Sequence, residues 1–237
     1  MTIQQTIIQL SRKRSGMSLP PIEIETGPNP TASIVLMHGL GADGNDFVPI
    51  AQELDLSSVG PVRFVFPNAP VMPVTINGGY QMPAWYDIYG PNLVQREDEV
   101  GLRRSQASIE ALIEKEKSRG IAADRIVVAG FSQGCAMALM TGLRHAEKLA
   151  GIVGLSGYLP LAATLAAERH GANHDTPIFL AHGSADPVVV LERAELSRNL
   201  LMQMDYNVDW HEYPMAHSVC MEEIADLNAW LLRVLAR

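Results

Sequence analysis

Short apolar, β-branched runs alternate along this chain with longer stretches of helical period, and that alternation restricts the fold more than any other feature. The runs are Ile34 to Met37, Arg63 to Phe66, Arg125 to Val128, Gly151 to Leu155, Pro177 to Ala181 and Val208 to Tyr213. Most are continuously apolar, as strands buried on both faces of a parallel sheet must be. Between them, Leu102, Ile109, Leu112 and Ile113 mark one helical face, and Ile224, Leu227, Leu231 and Val234 another. The pattern predicts an α/β fold, a mostly parallel central sheet of at least six strands with helices on both faces. The first of these helices should stop at Gly120, with Lys115, Lys117 and Arg119 at its negative dipole end.

One large domain over residues 19–237 accommodates these elements, with residues 1–18 read as a flexible N-terminal extension. A hydrophobic share of 47% supplies the core, and a net charge of −8 argues against a nucleic-acid partner, because phosphate binding needs clustered cations. No apolar run is long enough to span a bilayer, so integral membrane association is not expected. Arg12-Lys13-Arg14 is followed by Ser15-Gly16 rather than by the apolar core of a signal peptide, which disfavours secretion by that route. The two cysteines, Cys135 and Cys220, lack metal-ligand spacing and suit a reducing, cytoplasmic setting. Pro67 to Pro91, rich in proline and carrying Tyr80, Trp85, Tyr86 and Tyr89, reads as a long ordered loop.

The chemistry centres on Gly130-Phe131-Ser132-Gln133-Gly134, a G-x-S-x-G run between the strand Arg125 to Val128 and a helical stretch Cys135 to Leu149. A serine thrust out on such a turn leaves no room for a Cβ two residues to either side, hence the glycines. A Gly-rich turn with a capping serine would read the same way, so the partners must decide. A serine hydroxyl needs a base to become a nucleophile, and histidine is the usual one. In this arrangement the order is Ser, acid, His, each on a loop after a strand's C-terminal end.

That order selects His217, just past the strand ending at Tyr213, from seven histidines. His145, His170 and His174 precede the last strands, His38 and His182 sit at strand ends with no acid loop before them, and His211 lies within a strand. Among the acids, Asp186 follows the strand Pro177 to Ala181 in His182-Gly183-Ser184-Ala185-Asp186-Pro187. Asp175, Asp205 and Asp209 belong to the opposite edge; as a bland alternative, Asp186 is a turn residue before Pro187. His38-Gly39-Leu40-Gly41 lacks the Lys-Ser/Thr of a phosphate loop and reads as an oxyanion loop, with the N–H groups of Leu40 and Gln133 as donors. Cys135, inside the helix, reads as a packing residue rather than a rival nucleophile.

With these pieces the chain resembles the bacterial carboxylesterase and acyl-protein thioesterase family, also described as phospholipase/carboxylesterases, of the α/β-hydrolases. The resemblance runs from about Pro21 to the C-terminus, through His38-Gly39-Leu40-Gly41, Pro67-Asn68-Ala69-Pro70, Met82 to Ile88, the serine motif, His182 to Pro187 and His217-Ser218. Ala42-Asp43-Gly44 looks like the bacterial esterase branch, and Cys135 stands where many members have glycine. The resemblance implies a serine carboxylesterase that hydrolyses short-to-medium acyl esters through an acyl-enzyme, without cofactor or metal. Ser132, Asp186 and His217 would be its triad, with Leu40 and Gln133 at the oxyanion hole. Lysophospholipase or acyl-protein thioesterase activity with the same triad is the alternative, a non-catalytic binding protein a distant one, and a homodimer is left open. The resemblance also places Trp85 as a wall of the substrate site, with pinning of its own loop as the other reading.

Overall fold

The computed structural model describes residues 19–90 and 96–236. The N-terminal extension expected over residues 1–18 lies outside the described residues. Among these, a seven-stranded sheet runs in the order β1-β3-β2-β6-β7-β8-β9. Its strands are β1 (Ile22–Glu25), β2 (Ala32–Met37), β3 (Val62–Phe66), β6 (Ile126–Phe131), β7 (Gly151–Leu155), β8 (Ile178–Gly183) and β9 (Val208–Tyr213). All six expected strands are present and mutually parallel. The seventh, β1, pairs antiparallel with β3 at the edge. A second sheet pairs β4 (Val71–Val74) with β5 (Tyr80–Pro83).

Alternate residues of each central strand enter two separate cores, as strand geometry demands. Val35, Val128, Ile152 and Leu180 face one core, with Leu102, Ile109 and Ile113 of α2 (Glu99–Ser118) and Cys135 to Met140 of the fully buried α3 (Gln133–Gly142). Ile34, Val127, Val153 and Phe179 face the other, with Ala51 of α1 (Val48–Glu53) and Leu227, Trp230 and Leu231 of α6 (Met221–Val234). The helices α4 (Ala162–Glu168) and α5 (Leu191–Gln203) complete the set. Helix α2 starts at Asp98, whose side chain accepts from Gly101 N at 3.0 Å, and the chain leaves it at Gly120, which adopts a left-handed φ of 92°.

Two expectations change. The helix predicted from Cys135 to Leu149 ends at Gly142, where any side chain would collide with Ile152. Beyond it the buried Asn173 holds an irregular path, donating to the carbonyls of His145 (2.9 Å) and Glu147 (2.7 Å) and accepting from Leu149 N (2.9 Å). The segment read as a loop from Pro67 is instead largely the β4–β5 hairpin, turning through left-handed Gly78 and Gly79. Pro73 and Pro83 are tolerated because a two-stranded ribbon leaves an outward edge where no N–H is required.

Glu223, in the first turn of α6, is buried, and burial raises its carboxyl pKa to about 8, opposed in part by the Cys220 backbone N–H. The folded chain then keeps this proton at pH values where the unfolded chain, with an ordinary value of 4.5, has released it. Stability therefore falls as pH rises across that window. Glu223→Gln should match the wild type in thermal unfolding near pH 4 and exceed it by about 1–3 kcal/mol at pH 8.5; an equal difference at both pH values would contradict this.

Candidate active site

Ser132 lies between the end of β6 and the start of α3 with φ 57° and ψ −116°, a backbone conformation that a non-glycine residue rarely adopts. The surrounding glycines make it attainable. A Cβ on Gly130 would overlap the Gly134 carbonyl, and one on Gly134 would overlap the carbonyl of Met37 at the end of β2. Ser132 N donates to Leu155 O of β7 at 2.9 Å, so the turn is fastened to the neighbouring strand as well.

Both partners selected from the sequence converge on this serine. His217 Nε2 is 2.9 Å from Ser132 Oγ, and His217 Nδ1 is 2.7 Å from Asp186 Oδ2. The Phe131 ring packs on the His217 ring at a centroid distance of 4.8 Å. Asp186 is 6% exposed, and its other oxygen, Oδ1, accepts from Val188 N (2.8 Å) and Val189 N (2.9 Å). Asp186 thus uses one carboxylate oxygen within its own turn and presents the other to His217. Four of the other histidines are engaged elsewhere: His145 with Glu110, His211 with Asp209 and the Phe179 ring, His170 at the Ala172 N–H, and His174 against Tyr206.

The Gly39–Gly41 loop runs against the serine turn, with the position of a Gly39 Cβ only 3.3 Å from that of Ser132. His38 is buried, and its Nε2 accepts from Ala69 N at 3.1 Å, so the proton resides on Nδ1, which donates to Gly39 O at 2.7 Å. Burial lowers the His38 pKa and keeps that neutral tautomer. Gly41, at φ 79°, donates its N–H to Pro83 O of the hairpin at 2.9 Å. The N–H of Gln133 belongs to the first helical turn, where such groups have no intrahelical partner.

Trp85 is buried at 2% exposure and lies outside the lining of the adjacent cavity. Its indole Nε1 donates to His38 O (2.9 Å), and its backbone N–H donates to the Gln133 side-chain oxygen (3.0 Å). Gln133 Nε2 in turn donates to Tyr86 O at 2.9 Å. Pinning, rather than a wall, is what the structure assigns to Trp85, and from this segment Tyr86 and Ile88 face the cavity instead.

That cavity, of about 590 Å³, opens beside Ser132 and His217. Its apolar lining comes from Leu40, Ile76, Ile88, Val188, Val189 and Val190. The three valines escaped sequence reasoning, although they directly follow Asp186-Pro187 and their position beside the acid was a usable signal. Among the described residues no cluster of His, Cys, Asp and Glu could hold a metal ion, and no helix is long and apolar enough to cross a membrane.

The family model described as phospholipase/carboxylesterase matches residues 21–235. Acyl-protein thioesterase 1 of Yarrowia lipolytica is 42% identical over 217 residues, covering 90% of this chain and 96% of that protein. Acyl-protein thioesterase 1 of Neurospora crassa is also 42% identical, with 90% of each chain covered. The crystal structure of Zea mays acyl-protein thioesterase 2 superposes with a TM-score of 0.77 at 28% identity, covering 91% of this chain and 99% of that one. The expected likeness to a bacterial branch is corrected by these fungal relatives. The chain therefore belongs to the phospholipase/carboxylesterase family of α/β-hydrolases and is a hydrolase of ester or thioester bonds.

Proposed function

We propose that this protein hydrolyses esters and thioesters of apolar acyl chains through a covalent acyl-enzyme on Ser132. The observation that carries this reading is His217 bridging Ser132 and Asp186, at 2.9 and 2.7 Å, on the wall of a largely apolar cavity of about 590 Å³. Ser132 Oγ attacks the acyl carbonyl carbon while its proton passes to His217 Nε2. The oxyanion accepts hydrogen bonds from the N–H groups of Leu40 and Gln133. The C–O or C–S bond then breaks as His217 returns the proton to the leaving group. Water, deprotonated by the same histidine, releases the acid and restores Ser132. Asp186 orients the imidazole and stabilises its charged form.

The second reading, acyl-protein thioesterase rather than small-ester hydrolase, is favoured by the names of the 42% identical relatives. Both use the same acyl cavity and differ in leaving group. A series of p-nitrophenyl esters from acetyl to dodecanoyl, run beside an S-acylated peptide, separates them. Each methylene buried against Leu40, Ile76 and the valines should raise kcat/KM about three- to fourfold until the cavity is full. A profile that is flat or falls from acetyl onward would refute an acyl-chain site. Turnover of the peptide as fast as the best ester selects the thioesterase reading.

Cys135 provides a check on the nucleophile. It is fully enclosed in α3, and burial pushes its thiol up to about 12, so almost no thiolate exists near neutrality. Iodoacetamide at pH 8 should leave Cys135 unmodified in the native protein, with turnover intact, and alkylate it only after denaturation. Native alkylation of Cys135 with loss of turnover would count against Ser132.

A further inference from the structure

His182 belongs to none of the steps above, yet it sits beneath the acid that orients His217. It is the penultimate residue of β8, 1% exposed, and its Nε2 lies 2.7 Å from the carbonyl oxygen of Val189 and 3.4 Å from Asp186 Oδ2. A carbonyl can only accept, so Nε2 carries the proton and donates it to Val189 O. Among the described residues Nδ1 has no hydrogen-bond partner, which a neutral imidazole tolerates far better than a cation would. Burial lowers the His182 pKa against the opposing pull of the Val189 carbonyl and Asp186, so the ring stays uncharged. An uncharged donor leaves the whole negative charge of Asp186 to the imidazolium that forms on His217.

The contacts form a closed ring. Asp186 Oδ1 accepts from Val188 N and Val189 N, Val189 O accepts from His182, and three residues separate His182 from Asp186 along the chain. Val188, Val189 and Val190 line the acyl cavity, so the ring that fixes the carboxylate also fixes one cavity wall. Ala185 N donates to Met215 O at 3.1 Å, which fastens the same turn to the chain leading to His217.

We propose that His182 is a positioning residue: its Nε2–H holds the 186–190 turn so that Asp186 keeps its aim at His217 and Val189 keeps its place in the acyl cavity. This rests on the triad reading, and a misplacement on the order of 1 Å at such a site costs about a hundredfold in rate.

The test compares His182→Leu, which removes the donor, with His182→Gln, whose amide can reach the same carbonyl. His182→Leu should lower kcat for acetyl esters by about tenfold or more. It should also flatten the acyl-chain-length preference and weaken the low-field proton resonance of the His217–Asp186 hydrogen bond. His182→Gln should restore all three readouts to within about threefold of wild type. A His182→Leu protein that keeps kcat, chain-length preference and resonance overturns the proposal, as does a His182→Gln protein that loses as much as His182→Leu. Should His182→Leu fail to fold, His182→Asn, whose shorter amide stops short of Val189, takes its place with the same expected losses. Ser132→Ala separates the two levels: ester turnover surviving that change sinks the triad reading itself, whereas its loss beside a fully active His182→Leu sinks only the role of His182.

Discussion

The turn at Ser132 exists because three stretches of chain come closer there than any side chain would allow. Gly130 meets Gly134, Gly134 meets the carbonyl at the end of β2, and Gly157 meets both the Ser132 carbonyl and Cys135. A backbone held at φ 57° and ψ −116° is costly on its own, by about 1–3 kcal/mol, and persists only where the surroundings over-determine it. Here the over-determination comes from the parallel sheet, which sets the ends of β2, β6 and β7 side by side. The fold and the strained position of the serine are therefore one constraint. The sheet edge that forces the turn is also the edge onto which the loops bearing Asp186 and His217 open.

The segments that carry the family resemblance are bound to one another by a continuous set of hydrogen bonds. Ala69 of the Pro67–Pro70 piece donates to His38, Trp85 donates to the His38 carbonyl, and Gln133 clasps the backbone of Trp85 and Tyr86. Ser105 of α2 donates to the Trp85 carbonyl and closes the far side. These partners are buried, where a lost hydrogen bond leaves an unsatisfied group and costs more than the bond itself contributes in water. The Gly39–Gly41 loop is thus braced on several sides by the fold itself, and donors placed in advance of the substrate are the ones that become effective.

Much of this was legible from sequence. The six parallel strands declared themselves as continuous apolar runs, because burial on both faces removes the alternation that would otherwise blur a strand. That Ser132, Asp186 and His217 come together in space followed from strand-end position, a property of chain order that survives without coordinates. The hairpin at Val71–Pro83 was missed because Pro73 and Pro83 argue against a strand until its edge position is known. The early end of α3 was missed because the path beyond it is held by Asn173, thirty-one residues after Gly142. Trp85 was expected at the substrate and is instead a buried brace, since a sequence shows that an aromatic is present but not which side of a loop it takes. His182 has no acid loop before it in the chain, and the acid beside it comes four residues later.

The central claim is that Ser132 is the nucleophile. Intact-mass measurement after treatment with a fluorophosphonate tests it most directly, followed by peptide mapping of the adduct. The account predicts one adduct per chain, located on Ser132, with labelling and ester turnover both abolished in Ser132→Ala. An adduct mapped to any other residue, or turnover that survives in Ser132→Ala, would contradict it.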